Sequence, residues 1–336
     1  MSEIAIPANR TGHVKVIFAG APDLALPALR ALAESRHDVV LVITQPDRPA
    51  GRGRKLTAPP VKTFAESCGI RVLQPVSINR PDAVEAMRAV RPDAIVCFAY
   101  GRRFARRALV LPRLGCFNIH ASLLPRYRGA APIQHAILNG DAETGVTVQR
   151  MASEIDTGPI LAQESLRIGP DETAGELSAR IGELAGRIIV PTMDAVEKAK
   201  VREIPQDDSQ ACEAPALRKE DGLVPWRRGA QAVCNFVRAM TPWPGAFTFN
   251  RAAGGRSRGR LIVLSVRPVA EPGPEVARTF GSAAQPGMIV CAKERLLVAA
   301  GEGFVEVRRV KPAGSKTMDA PSFLRGHGVH VGDRFQ

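Results

Sequence analysis

The first two hundred residues alternate short apolar runs with helical periods. VKVIFAG (14–20), DVVLVITQ (38–45), AIVCFAY (94–100) and GCFNIHA (115–121) each read as a short buried strand. Pro22 and Asp23 open a helix through LALPALRALAES. VKTFAESCG (61–69) and PDAVEAMRAV (81–90) are amphipathic helices, the second with proline in its first turn. AAPIQHAILNG (130–140) predicts a helix ended by Asn139-Gly140. GVTVQRM then leads through the loop SEIDTGP into the strand ILAQESLRI. Thr173 opens a long helix with a T-A-G-E capping box closed by Glu176, and Pro191 is expected to kink it before Ala199.

Strand–helix alternation of this kind predicts an α/β fold, a doubly wound and mostly parallel sheet covered on both faces. Periodicity fades from residue 201 to about 221 and gives way to short strands between Gly/Pro turns, among them GMIVCAK, RLLVAAG and FVEVRRV. That change predicts a small β-barrel or sandwich. The expected division is an α/β domain at 1–203, a linker at 204–221 and a β domain at 222–336.

Composition narrows the class. Apolar residues make up 45% of 336 positions, enough for two cores. No apolar run is long enough for a membrane span. MSEIAIPANRTGHV lacks the apolar centre of a signal peptide, so a cytoplasmic location is expected. Six scattered cysteines with no C-x-x-C read as reduced thiols, and no metal is expected. The net charge is +13, and residues 208–336 hold 19 Lys and Arg against 11 Asp and Glu. Such a basic tail suits a polyanionic partner, nucleic acid being the usual one, although an arginine-rich composition throughout would give the same excess.

The chemistry concentrates in CFNIHASLLPRYRGAAP (116–132). A period of two puts Phe117, Ile119 and Ala121 on one face and Cys116, Asn118 and His120 on the other. An amide and an imidazole side by side at the carboxyl end of a parallel strand lie where open α/β sheets build their crevices. The same two residues can also simply hydrogen-bond neighbouring loops. The first turn, GAPD, is not G-x-G-x-x-G, so nothing supports a dinucleotide.

Asn118-Ile-His120, then Ser122-Leu-Leu-Pro125, Arg126, Arg128, Gly129-Ala-Ala-Pro132 and Asp156-Thr-Gly158, resemble the formyltetrahydrofolate-dependent formyltransferases. VIFAGAPDLALPAL, ITQPDRPAGRGRKL, GDAETGVT, KEDG, TPWPGAFT and KPAGSK are similar to that family's runs, in its order and over almost the whole chain. The resemblance implies a Rossmann-like N-terminal fold, an OB-like C-terminal barrel, and a monomer. It implies that the formyl group of 10-formyltetrahydrofolate passes to the α-amino group of initiator methionyl-tRNA. Asn118 and His120 would then stabilise the developing oxyanion, Asp156 would orient the imidazole and move protons, and Ser122, Leu123, Leu124 and Pro125 would form part of the folate wall.

The basic loop PDRPAGRGRKLTAP (46–59) would reach the acceptor end of the tRNA through Arg48, Arg52, Arg54 and Lys55, Arg52 first among them. In the β domain RRGAQ, RSRGR and VRRVK are candidate phosphate patches, and Trp226 and Trp243 read as core residues. The rival reading keeps the chemistry and replaces the acceptor by a sugar nucleotide or glycinamide ribonucleotide. A small acceptor would need neither the basic loop nor the basic β domain. Three departures from the family stand out: RRFARRALVLP (102–112) is far more basic, Pro159 follows the D-T-G turn, and TPWP replaces N-P-W-P.

Overall fold

The computed structural model describes residues 13–50, 55–253, 255, 257–271, 273, 276, 278, 279 and 284–336. Two compact units emerge. The first takes the chain up to Pro132, with Glu143–Arg167 and Ser178–Pro215; the second takes Ile133–Ala142, Ile168–Leu177 and everything from Ala216.

The first unit is built on one seven-stranded sheet. Its strands are β1 (Lys15–Gly20), β2 (Asp38–Ile43), β5 (Val72–Leu73), β6 (Ala94–Phe98), β7 (Gly115–His120), β8 (Glu143–Arg150) and β9 (Ile160–Arg167), in the order β5-β2-β1-β6-β7-β8-β9. The five strands from β5 to β7 are parallel, while β8 and β9 return antiparallel. This is the doubly wound, mostly parallel sheet that the alternation predicts. β1 and β6 read as unbroken apolar runs because both their faces are covered; five of the six β1 residues and all of β6 are buried. The helices α1 (Leu26–Glu34), α2 (Pro60–Ser67), α3 (Pro81–Ala89) and α4 (Arg106–Leu109) follow, the second and third opening on proline, whose absent N–H costs nothing in a first turn. The 46–59 loop is not wholly irregular. Its ends pair as the hairpin β3 (Arg48–Ala50) and β4 (Lys55–Thr57), with Arg48 opposite Thr57.

Helices α5 (Pro132–Leu138) and α6 (Ala174–Glu197) come next in the chain. The capping box forms as expected: Glu176 Oε2 accepts from the Thr173 N–H, and Thr173 Oγ1 accepts from the Glu176 N–H. α6 runs on through Pro191 as one helix.

The second unit is a six-stranded antiparallel path, β12-β13-β14-β11-β10-β16, with β15 pairing β14. The ranges are β10 (Phe247–Arg251), β11 (Ser257–Val269), β12 (Ile289–Ala292), β13 (Leu296–Ala299), β14 (Phe304–Pro312), β15 (Met318–Asp319) and β16 (Arg334–Phe335). The bridge between Met288 and Arg334, with Ile289 N–H donating to Asp333 O, brings the path's two ends together into a nearly closed barrel. Among the described residues, helices add to what was expected as an all-β domain. They include α7 (Ala230–Ala239) and α8 (Ala320–His327), whose apolar faces enter the core with Val233, Val237, Phe323 and Leu324. Trp226 is buried among them, whereas Trp243 stands 51% exposed in a proline-flanked turn, against the expectation that both are core. Among the described residues no helix is long and apolar enough to cross a membrane.

Candidate active site

β7 sets the site. Its alternation puts Asn118 and His120 on one face, as the period of two predicts, and its antiparallel pairing with β8 sets Asn118 opposite Gln149 and His120 opposite Thr147. Asn118, His120, Gln149 and Asp156 all belong to the first unit.

The centre is Asp156. Its Oδ1 accepts from Asn118 Nδ2 at 3.2 Å and from Gln149 Nε2 at 2.9 Å. Its Oδ2 accepts from the Gly129 N–H at 3.0 Å and lies 3.5 Å from His120 Nδ1. The carboxylate and the imidazole are 8% and 6% exposed, so these N–H groups take the place of solvent. The structure therefore brings Asn118, His120 and Asp156 together, 38 residues apart in the chain.

The tautomer of His120 follows from its other neighbour. Nε2 lies 2.8 Å from the Tyr127 carbonyl oxygen, which can only accept, so Nε2 carries the hydrogen. Nδ1 is then the ring atom that faces the Asp156 carboxylate. Their separation is 3.5 Å, longer than an ordinary hydrogen bond.

Two residues of the site hold the left-handed conformation without being glycine: Tyr127 at φ +62° and Asp156 at φ +57°. Such backbone costs about 1–3 kcal/mol and persists only where its surroundings fix it. Gln206 fixes the Asp156 turn, donating from Nε2 to the carbonyls of Asp156 and Gly158, both at 2.8 Å. Gln206 Oε1 in turn accepts from Arg128 Nη2 at 2.8 Å and Nε at 3.1 Å, and Arg128 also pairs with Asp208. Backbone bonds complete the brace. Arg128 N–H donates to Cys212 O, Ala214 N–H to Arg128 O, and Ala131 N–H to Ala214 O. Gly129 sits at φ +125°, and a Cβ there would lie 2.6 Å from Ala214 O, so glycine is required.

The 122–125 segment divides by exposure. Ser122 is fully buried, its Oγ donating to Arg126 O and its carbonyl accepting from Thr147 Oγ1. Leu124 is also buried, its N–H donating to Thr147 Oγ1 and its carbonyl accepting from Gln163 Nε2. Leu123 and Pro125 are half-buried and keep surface to offer a ligand. Of the basic-loop residues, Arg48 is exposed at the root of the β3–β4 hairpin and Lys55 is exposed at the start of β4, opposite Ala50; Arg52 and Arg54 lie outside the described residues. Gln149 and Gln206 went unnoticed in the sequence. A strand partner set by register and a glutamine in an aperiodic stretch carry no local signal.

Nucleophilic thiol chemistry has no support here. Burial pushes the Cys97 and Cys116 thiols up to about 12, so both are protonated near neutral pH. The site's resources are an amide with a second N–H to give, an imidazole, and a carboxylate beside it. That set suits transfer between a carbonyl carbon and an amine.

Comparison with known proteins points the same way. The sequence profile described as formyl transferase matches residues 13–193, and the one described as formyl transferase, C-terminal domain, matches residues 216–328. The chain is 40% identical over 319 residues to the methionyl-tRNA formyltransferase of Citrifermentans bemidjiense, covering 95% of both chains. It is 44% identical over 314 residues to that of Desulfotalea psychrophila, covering 93% of both. Among solved structures, HypX from Aquifex aeolicus in complex with tetrahydrofolic acid shares the fold with a TM-score of 0.62 at 17% identity, over 95% of this chain and 48% of that one. An N-formyltransferase from Helicobacter canadensis, solved with folinic acid and dTDP-3-aminofucose, gives 0.61 at 16% identity, over 88% of this chain and 98% of that one. With both profiles matched in order and full-length relatives at this identity, the chain belongs to the formyl transferase family.

Proposed function

We propose that this chain transfers the formyl group of 10-formyltetrahydrofolate to the α-amino group of initiator methionyl-tRNA, giving N-formylmethionyl-tRNA. The observation that carries the reading is the convergence of Asn118 and His120 on Asp156, in a chain whose full-length relatives are methionyl-tRNA formyltransferases.

Attack of the amine on the formyl carbon places negative charge on the formyl oxygen. Asn118 Nδ2 has one hydrogen committed to Asp156 and a second to give to that oxygen, beside the imidazole of His120. Asp156, across from Nδ1, supports the imidazole as it gains charge and takes part in moving the amine proton to the leaving nitrogen. Leu123 and Pro125 face the folate donor, while Ser122 and Leu124 shape the backbone behind them. Arg48, Arg52, Arg54 and Lys55 contact the acceptor end of the tRNA. In this reading residues 1–203 are the catalytic domain, 204–221 the linker and 222–336 a barrel lying along the tRNA, and the enzyme works as a cytoplasmic monomer.

The test uses purified protein, 10-formyltetrahydrofolate, and methionine charged on initiator or elongator tRNA. Formylation of the initiator species is expected. Transfer to neither tRNA, with transfer to a small amine instead, refutes the reading.

A further inference from the structure

Residues 94–140 contain seven arginines and no aspartate or glutamate. Three of the seven are engaged by other side chains: Arg113 pairs with Asp93, Arg128 with Gln206 and Asp208, and Arg126 lies over the Tyr127 ring. The other four, Arg102, Arg103, Arg106 and Arg107, fall within six residues and are all exposed. Among the described residues no carboxylate reaches salt-bridge distance of any of them. Elsewhere on the same unit exposed arginines do find acids, as in Arg80–Asp82, Arg88–Glu85 and Arg187–Glu164.

The backbone beneath these side chains is held in place. Asn79 clamps it from both sides, donating from Nδ2 to Arg103 O and accepting at Oδ1 from the Ala105 N–H. Phe104 and Ala108 are buried in the core between the charged positions. The result is a preordered scaffold carrying the guanidinium groups of Arg102, Arg106 and Arg107, without a carboxylate partner among the described residues, which lowers the entropy lost when a ligand arrives. Its position adds to the argument. The segment leaves the carboxyl end of β6, the same edge at which β2 leads into the basic hairpin and β7 into the active-site loop. Gln45 joins the first two, donating to Tyr100 O at 2.8 Å and accepting from Arg48 at 3.5 Å. Arg103 Nη2 ties the segment to the loop between β8 and β9, donating to Ser153 O in the turn that carries Asp156.

We propose that Arg102, Arg106 and Arg107 form a docking surface for the phosphodiester backbone of RNA, continuous with the root of the basic hairpin and leading towards Asp156. The inference rests on tRNA being the acceptor and extends that reading to a segment outside the loop and the barrel. Guanidinium groups without carboxylate partners, on a stretch of chain that has no acid of its own, match closely spaced phosphates, and binding there releases counterions. Arg103 is set apart because its bond to Ser153 also steadies the catalytic turn.

The test is the full-length triple variant R102Q/R106Q/R107Q against wild type, with fluorescently labelled initiator methionyl-tRNA titrated from about 50 to 200 mM salt. Loss of three phosphate contacts should reduce the slope of log K against log salt by about 2–3 and weaken affinity at least about tenfold near 100 mM. KM for the aminoacyl-tRNA should rise in step, with the KM for the formyl donor and the thermal midpoint unmoved. Unchanged affinity and salt slope overturn the proposal. So does a matching rise in the donor's KM with a lowered midpoint, which marks a structural role, or lost binding to phosphatidylglycerol vesicles with tRNA affinity intact. Wild type that formylates the tRNA alongside an unaffected variant removes this inference alone; wild type that neither binds nor formylates it removes the proposed function too.

Discussion

Asp156→Asn is the sharpest probe of the site, because it keeps the shape and removes both the charge and one acceptor. In the native site Oδ1 takes two N–H donors and Oδ2 takes one, with His120 Nδ1 beside it. An amide has a single oxygen. Turned one way, its NH2 opposes the Gly129 N–H; turned the other, it opposes both Asn118 and Gln149. At least one charge-assisted bond is lost in either orientation, which costs about 1.5–3 kcal/mol of stability. The effect on the reaction is larger, since the imidazole loses its proton partner and positioned acid–base groups contribute roughly 10²–10⁴ in rate. Rapid-quench single turnover with both substrates saturating measures the chemical step, and urea unfolding measures stability. A variant that stays folded with a rate within about threefold of wild type, under 1 kcal/mol in the barrier, would sink the assigned role of Asp156.

Further outcomes follow from the same geometry. Gln206→Leu should lower kcat about tenfold or more by releasing the left-handed Asp156 turn, a loss of some 1.4 kcal/mol, and unchanged kcat would show that the turn holds itself. Gly129→Ala should destabilise by at least about 1–3 kcal/mol from its backbone conformation alone, read as a lowered urea midpoint. Native alkylation followed by mass spectrometry should label exposed Cys212 first and leave Cys97, Cys116 and Cys234 untouched until unfolding, since burial pushes all three buried thiols up to about 12. Burial lowers the His37 imidazole below its ordinary 6.5, a shift that Asp194 opposes and Arg36 aids. Below that value the unfolded chain binds a proton the folded chain refuses, so stability present above pH 6.5 is lost as pH falls towards the folded value. His37→Gln should flatten that part of a stability–pH curve; an unchanged slope would exclude His37 as its source.

Local patterns made much of the sheet legible. β1 and β6 announce themselves as apolar runs because a parallel strand between two helical layers has no solvent face. The Thr173–Glu176 box marks its helix start through bonds confined to four residues. α7 was also readable in principle: Ala230, Val233, Cys234 and Val237 recur at helical spacing, but the adjoining arginines drew the reading towards a surface patch. α8 carries an Asp319 cap, an early proline and a left-handed Gly328, each a boundary signal overlooked inside a strand-rich stretch. The hairpin β3–β4 is short and exposed, so it buries nothing that would leave a period. Within the site, alternation showed that Asn118 and His120 share a face, and the family resemblance supplied their expected roles. Asp156 was visible only through family resemblance, and Gln149 and Gln206 depend on register and on chain contacts across the fold that no local pattern records.

The stretch 206–214 has a consequence for modularity. It looks like a tether, yet it supplies Gln206 to the Asp156 turn and pairs its backbone with residues 128–131. A catalytic unit transplanted to a different recognition module must therefore keep its chain through Pro215, where the first unit ends. A junction cut before Gln206 would carry every chemical group of the site and leave behind the splint that keeps Asp156 aimed at His120.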